Sequence, residues 1–285
     1  MSKLLNEIMG HLSPRYTPGE ARAVAFALLE DAFGVGRTDV YADKVRQFSE
    51  EEEQRLRAIL QQIAEGRPLQ YATGVARFDG RLLRVTPATL IPRPETEELV
   101  AWAAERAEAM ERTEGARRRL LDVGTGSGCI ALSLALRLGE AWQVAAWDID
   151  AETLSVAREN ARSQGAAVEF EQVDLLAQPM PADPFDLIVS NPPYVCERER
   201  AEMEAQVLDY EPARALFVPD DDPLLFYRAL VSLALRALRP AGWLLLEVNR
   251  AYAEQTAELL RQAGMVDVEV RSDAFGNPRM VGGRL

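Results

Sequence analysis

The stretch of this chain best suited to chemistry is Ser190-Asn191-Pro192-Pro193-Tyr194, directly after the apolar run Phe185 to Ser190. Two consecutive prolines fix φ and remove two backbone donors, leaving carbonyls that only accept. A rigid corner of acceptors matches an –NH2 group on an sp² carbon. The Asn191 side-chain oxygen and the Pro192 carbonyl can take its two hydrogens, Pro193 stiffens the corner, and the Tyr194 ring can pack against the planar group. Such a nitrogen is a poor nucleophile because its lone pair is delocalised. Accepting its hydrogens raises its electron density, and a fixed corner aims it at an electrophile. Asn191, Pro192 and Tyr194 are therefore the expected catalytic residues, with Asn191 through Tyr194 holding the substrate. Asn-Pro is also an ordinary turn starter, so this reading leans on the preceding buried strand and on a glycine loop upstream.

That loop is Asp122-Val123-Gly124-Thr125-Gly126-Ser127-Gly128, between the apolar Leu120-Leu121 and the helix-like Cys129-Ile130. Glycines suit a tight turn where a ligand approaches backbone without a Cβ in the way. A plain turn would use them too. A second strand ends at Trp147-Asp148, roughly twenty residues on, placing a carboxylate where it could bind ribose hydroxyls. Nicotinamide and S-adenosyl-L-methionine enzymes both use that acid; the alternative is a solvent-facing strand end. The spacing favours S-adenosyl-L-methionine. The third glycine of the dinucleotide fingerprint would stand at Cys129, and this ligand has no pyrophosphate to seat on the helix N-terminus. Asp122, at the strand's end, could attract the ligand's ammonium or sulfonium. Asp174 could meet the adenine amino group while Leu175 covers the ring, although a plain loop fits those two residues equally well. On this reading the expected cofactor site is the glycine loop with Gly124, Gly126 and Gly128, together with Asp122, Asp148, Asp174 and Leu175.

The elements that must position these residues are alternating strands and helices. Arg119 to Val123, Gln143 to Trp147, Val168 to Gln172, Phe185 to Ser190 and Trp243 to Val248 read as strands. Cys129 to Leu138, Ala151 to Ser163, Pro223 to Leu238 and Ala253 to Ala263 read as helices. This alternation predicts a doubly wound α/β sheet, closed by an antiparallel hairpin of Val266 to Val270 with Met280 to Gly282. Residues 1–70 read as a small helical domain. Ala21, Val24, Ala25, Leu28 and Leu29 recur at helical spacing. Ser49 with Glu52 forms a capping box ahead of Leu56, Ile59, Leu60 and Ile63. Residues 71–94 read as a hairpin connector turning at Phe78-Asp79-Gly80-Arg81, stiffened by Pro87, Pro92 and Pro94. Residues 95–285 form the catalytic domain.

Composition narrows the function. The formal net charge is −13, and the only dense basic cluster is Arg117-Arg118-Arg119. Phosphate-led nucleic-acid binding calls for a basic stripe, so direct nucleic-acid binding is not expected and the cluster reads as a solvated strand entrance. With two cysteines and one histidine, zinc-ligand spacing cannot be assembled and no metal is expected. The same scarcity removes Ser-His-Asp and Cys-His chemistry unless His11 serves alone. No apolar run reaches the roughly 18–20 residues that span a bilayer, and the N-terminus lacks a signal pattern. A cytoplasmic monomer is expected.

On these residues the chain resembles the HemK/PrmC family, the methyltransferases of peptide chain release factor glutamine. Its most specific elements are Leu90-Ile91-Pro92-Arg93-Pro94-Glu95-Thr96-Glu97, Asp122 to Gly128, Asn191 to Tyr194, and Tyr210-Glu211-Pro212. The resemblance implies a Rossmann-like class I methyltransferase domain and transfer of a methyl group from S-adenosyl-L-methionine, leaving S-adenosyl-L-homocysteine. It implies cofactor contacts from Gly124 through Gly128, Thr125 and Ser127 included, and from Asp148, Leu175 and Asn191. It also implies a release factor as protein partner, Asn191 to Tyr194 around the glutamine amide, and Arg93 and Glu95 bordering the substrate. Two departures stand out. Phe217-Val218-Pro219-Asp220-Asp221-Asp222 replaces a glycine-containing segment, and Glu247-Val248-Asn249 replaces the usual Glu-Ile-Gly. Other readings of the residues are a glutamine methyltransferase of a ribosomal protein, an adenine amino methyltransferase of DNA, which would need base extrusion, and an inactive binding protein of the same fold.

Overall fold

The computed structural model describes residues 3–42, 47–110 and 117–285. By contacts the chain divides into two compact units, Met1–Pro87 with Glu204–Glu211, and Ala88–Met203 with Pro212–Leu285. The division at Pro87 places the hairpin with the first unit and residues 88–94 with the second, within the stretch read as a connector.

In the first unit, α1 (Lys3–Leu12), α2 (Pro18–Phe33), α3 (Arg37–Tyr41), α4 (Glu50–Ala64) and α5 (Leu69–Thr73) precede a hairpin of β1 (Val75–Phe78) and β2 (Arg81–Arg84). Local sequence sets the helix limits. Glu52 N donates to Ser49 Oγ at 3.2 Å and Ser49 N to Glu52 Oε2 at 3.0 Å, the expected capping box. A second box joins Thr17 and Glu20, and Gly34 ends α2 with φ 65°. The buried faces of α2 and α4 meet α1 in one core that includes Leu5, Ile8, Leu28, Leu29, Leu56 and Ile63. The hairpin turns on Asp79 (φ 49°) and Gly80 (φ 72°), with Phe78 paired to Arg81. Two successive positive φ angles mark the turn whose twist matches the flanking strands.

The second unit opens with α6 (Pro94–Ala109), β3 (Arg118–Val123), α7 (Cys129–Leu138), β4 (Trp142–Asp148), α8 (Ala151–Gln164), β5 (Val168–Gln172) and β6 (Phe185–Ser190). After it come β7 (Val195–Cys196), α9 (Ala205–Tyr210, grouped with the first unit), β8 (Phe217–Val218), α10 (Leu225–Ala237), β9 (Leu238–Glu247), α11 (Ala253–Gln262), β10 (Val266–Ser272) and β11 (Pro278–Arg284). The main sheet runs β10-β11-β9-β6-β3-β4-β5. Its β3, β4, β5, β6 and β9 are parallel, while β11 is antiparallel to both β9 and β10. This is the doubly wound sheet with a C-terminal antiparallel hairpin, and β11 lies inside rather than at the edge. The chain leaves β3 for β4 on one side and takes up β6 on the other, so a crevice opens at the carboxyl ends of β3 and β6.

Three local details differ from expectation or extend it. The fifth strand begins at Leu238, not Trp243, because Pro240 disfavours helical geometry in the residues before it and Leu238 pairs with Phe185. Arg118 and Arg119 are taken up by acids at the sheet's lower end: Arg118 Nη1 lies 3.4 Å from Asp186 Oδ1 and Arg119 Nη1 donates to Asp183 O at 2.7 Å. Finally, α6 lies close on the sheet over Gly282, where a Cβ would stand 2.6 Å from the Trp102 ring and 2.5 Å from Leu245 Cδ2.

Candidate active site

The glycine loop is pinned between two strand ends. Gly124 N and Thr125 N both donate to Trp147 O, at 2.8 and 3.0 Å, tying the loop to the end of β4. Ser190 Oγ donates to Val123 O at 2.7 Å and locks the ends of β6 and β3 together. Gly124, Gly126 and Gly128 all have positive φ, at 74°, 56° and 85°, where a Cβ is strained. They serve different ends. A Cβ on Gly124 would lie 4.0 Å from Asn191 O and one on Gly126 would meet nothing, whereas one on Gly128 would strike Leu132 Cδ1 at 2.7 Å. Gly128 therefore packs the core side, and Gly124 and Gly126 leave open space.

That space is a cavity of about 830 Å³ at the carboxyl ends of the strands, within the roughly 300–1,000 Å³ of small-molecule sites. Eight expected site residues converge on its wall: Gly124, Gly126, Asp148, Asp174, Leu175, Asn191, Pro192 and Pro193. Asp148 accepts from Gly126 N at 3.0 Å through Oδ2 and from Asp150 N at 3.1 Å through Oδ1. Burial pushes its carboxyl up while these two amides hold it down. Asp174 Oδ1 caps a short turn by accepting from Leu176 N at 2.9 Å, which presents Leu175 to the cavity.

The other expected residues lie off this wall. Asp122 is fully buried; its Oδ2 accepts from Thr125 Oγ1 at 2.6 Å and from Ala131 N at 3.1 Å, while Oδ1 has no hydrogen-bond partner. Burial pushes this carboxyl up to about 7. Thr125 and Ser127 are buried within the loop. Tyr194, half-buried, packs against the core, and its hydroxyl donates to Glu247 Oε1 at 3.1 Å; it is not among the residues lining the cavity. Arg93 is the N-cap residue of α6 and Glu95 lies in its first turn, both outside the lining.

Residues 107–216 match the Methyltransferase small domain family and residues 3–74 the PrmC N-terminal domain family. The chain is 42% identical over 282 residues to the release factor glutamine methyltransferase of Bacteroides thetaiotaomicron, covering 99% of each chain. It is 37% identical over 284 residues to that of Koribacter versatilis, covering 100% of this chain and 98% of the relative. The chain belongs to the release factor glutamine methyltransferase family. A human methyltransferase 10 domain containing protein shares the fold, with TM-score 0.51 and 18% identity over 71% of this chain and 87% of that one.

This family member holds its proline corner from behind with residues that sequence reading did not assign to the site. Thr96 Oγ1 donates to Glu247 Oε2 at 2.7 Å and accepts from Asn191 Nδ2 at 3.1 Å. Burial raises the Glu247 carboxyl, opposed by the Thr96 and Tyr194 hydroxyls and the Arg279 charge. The two departures support the same corner. Asn249 Nδ2 donates to Tyr194 O at 3.2 Å and to Glu199 Oε2 at 3.0 Å. Phe217-Val218 forms β8 and pairs with β7, just beyond Tyr194. The available signal was Thr96 within Leu90 to Glu97, one of the elements that carry the family resemblance; nothing in that string marks it as a partner of Glu247. Among the described residues no helix is long and apolar enough to cross a membrane.

Proposed function

We propose that this chain transfers a methyl group from S-adenosyl-L-methionine to the side-chain amide nitrogen of a glutamine, the Gly-Gly-Gln glutamine of peptide chain release factors. The observation that carries the reading is that Asn191-Pro192-Pro193 and the loop Gly124, Gly126 with Asp148 share one cavity wall. The residues present fit the cofactor. Gly124 and Gly126 leave room beside the backbone, and Asp148 and Asp174 offer carboxylates for the ribose and adenine. Leu175, on the cavity wall, would cover the adenine ring. Asp122, with one buried oxygen unpaired, contributes negative potential toward a cationic ligand; Thr125, Ser127 and Gly128 hold the loop in shape. When bound, the cofactor supplies an electrophilic methyl on a sulfonium and leaves as S-adenosyl-L-homocysteine.

The protein's part is orientation and electron supply. Asn191 Oδ1 and the Pro192 carbonyl accept hydrogen bonds from the two amide hydrogens, raising electron density on the nitrogen and fixing its line of attack, and one N–H proton is lost to solvent once the methyl has moved. The prolines offer no competing donor. Tyr194 steadies the corner through Glu247, and Arg93 and Glu95 border the approach of the protein substrate. Labelled S-adenosyl-L-methionine incubated with a release factor, its Gln→Ala variant, a ribosomal protein and DNA tests this; label is expected on the intact release factor alone, and label on DNA alone overturns the proposal. Asn191→Ala is expected to bind cofactor with a modest loss and to fall in kcat by roughly 10²–10³-fold.

A further inference from the structure

Buried polar groups from distant parts of the chain form a single line of hydrogen bonds that ends on Asn191. Tyr194 OH and Thr96 Oγ1 donate to the two oxygens of Glu247, at 3.1 and 2.7 Å, and Asn191 Nδ2 donates to Thr96 Oγ1 at 3.1 Å. Thr96 is 2% exposed and Glu247 1%, so water does not compete. A hydroxyl has one proton. That of Thr96 is committed to the carboxylate, which leaves only lone pairs facing Asn191. An amide oxygen turned toward Thr96 would set lone pair against lone pair. The amide must therefore give its NH2 to Thr96 and turn Oδ1 the other way.

We propose that Glu247 and Thr96 are positioning residues that fix which face of the Asn191 amide is offered to the substrate, through a one-way Glu247–Thr96–Asn191 relay. The inference rests on the reading of Asn191 as acceptor for the glutamine –NH2. Without the relay the amide samples both orientations. In one of them it presents NH2 to NH2, which repels the substrate group it should hold, and the acceptor is no longer preorganised.

The test uses the full-length chain with Thr96→Val, which keeps shape and loses the hydroxyl, and Thr96→Ser, which keeps the hydroxyl and loses the methyl. Each is made alone and with Asn191→Ala. The readouts are kcat and KM on release factor and the calorimetric Kd for S-adenosyl-L-homocysteine. Thr96→Val is expected to lower kcat about tenfold with Kd within about twofold, and Thr96→Ser to stay within about threefold of the parent kcat. In the Asn191→Ala background Thr96→Val is expected to change kcat by less than about twofold, since the relay then has nothing to orient. A parent-like kcat for Thr96→Val beside a large loss for Asn191→Ala overturns the relay and leaves the acceptor role standing. So does equal loss in Val and Ser, or full additivity in the double variant. A parent-like Asn191→Ala overturns both. Should Thr96→Val not fold, Glu247→Gln decides: its amide presents donor or acceptor to Thr96, so a several-fold kcat loss that vanishes in the Asn191→Ala background is expected, and an unchanged kcat overturns the relay.

Discussion

Asp122 sits where a carboxylate is least at ease, out of water entirely and with one oxygen unpaired. Its pKa is pushed up to about 7 by burial, above the ordinary value of about 4 in the unfolded chain. Between these values the folded state binds more protons than the unfolded state, so stability falls as pH rises from about 4 to about 7 and then levels off. Asp122→Asn removes this charge and keeps an acceptor for Thr125 and Ala131. The variant's melting temperature, compared with the parent's across that range, is expected to overtake it as pH rises; at pH 8 the gain should correspond to about 4 kcal/mol. A parent–variant difference that does not change with pH would show that Asp122 is not the titrating group. Asn249 carries a different load. Its side chain meets Tyr194, Glu199 and the Ala251 amide, so Asn249→Gly, the family's usual residue, is expected to cost about 1–3 kcal/mol in thermal unfolding.

At the scale of elements, the glycine loop joins β3 to α7 and does two separable jobs. Gly126→Ala places a methyl in the open cavity at φ 56°, costing about 1–2 kcal/mol of strain. Cofactor Kd is expected to rise at least tenfold, on the order of one lost close contact, with a modest fall in melting temperature. Gly128→Ala drives a methyl into Leu132 and Ala157, and melting temperature is expected to fall further than for Gly126→Ala. Calorimetry and thermal melts on the two variants separate the jobs; the reverse ranking of stability would refute the assignment. The loop and the Asn-Pro-Pro corner were legible in sequence because short-range backbone chemistry writes them in glycines and prolines. The central strands were legible because their apolar runs are nearly continuous, and β5 because Val168 and Phe170 alternate with polar residues. The Glu247–Thr96 bond was not, since its partners stand 151 residues apart and only the closed sheet brings them together. The β7–β8 pair was illegible for a similar reason: two residues per strand carry no periodicity, and their pairing is set from afar. The bond from the Tyr194 hydroxyl to Glu247 was illegible for the same reason, its partners standing 53 residues apart.

For the whole molecule, the first unit carries its own core and capping boxes, and we propose that it recognises the folded protein substrate while the second unit performs transfer. Removing residues 1–70 is expected to raise KM for intact release factor by about tenfold or more and to leave KM for a short Gly-Gly-Gln peptide nearly unchanged. Equal effects on both substrates would assign those residues to the fold of the catalytic unit instead. The second unit also shows how a site can be damaged from the far side of a sheet. Trp102 rests on the bare backbone of Gly282, and it rides on the same helix as Thr96. A single methyl at Gly282 would act as a wedge, tilting that helix and spoiling the aim of an amide it never touches. A screen for lost methylation would then score this C-terminal strand glycine beside the catalytic corner, and a map of sensitive positions drawn on the cavity alone would leave it out.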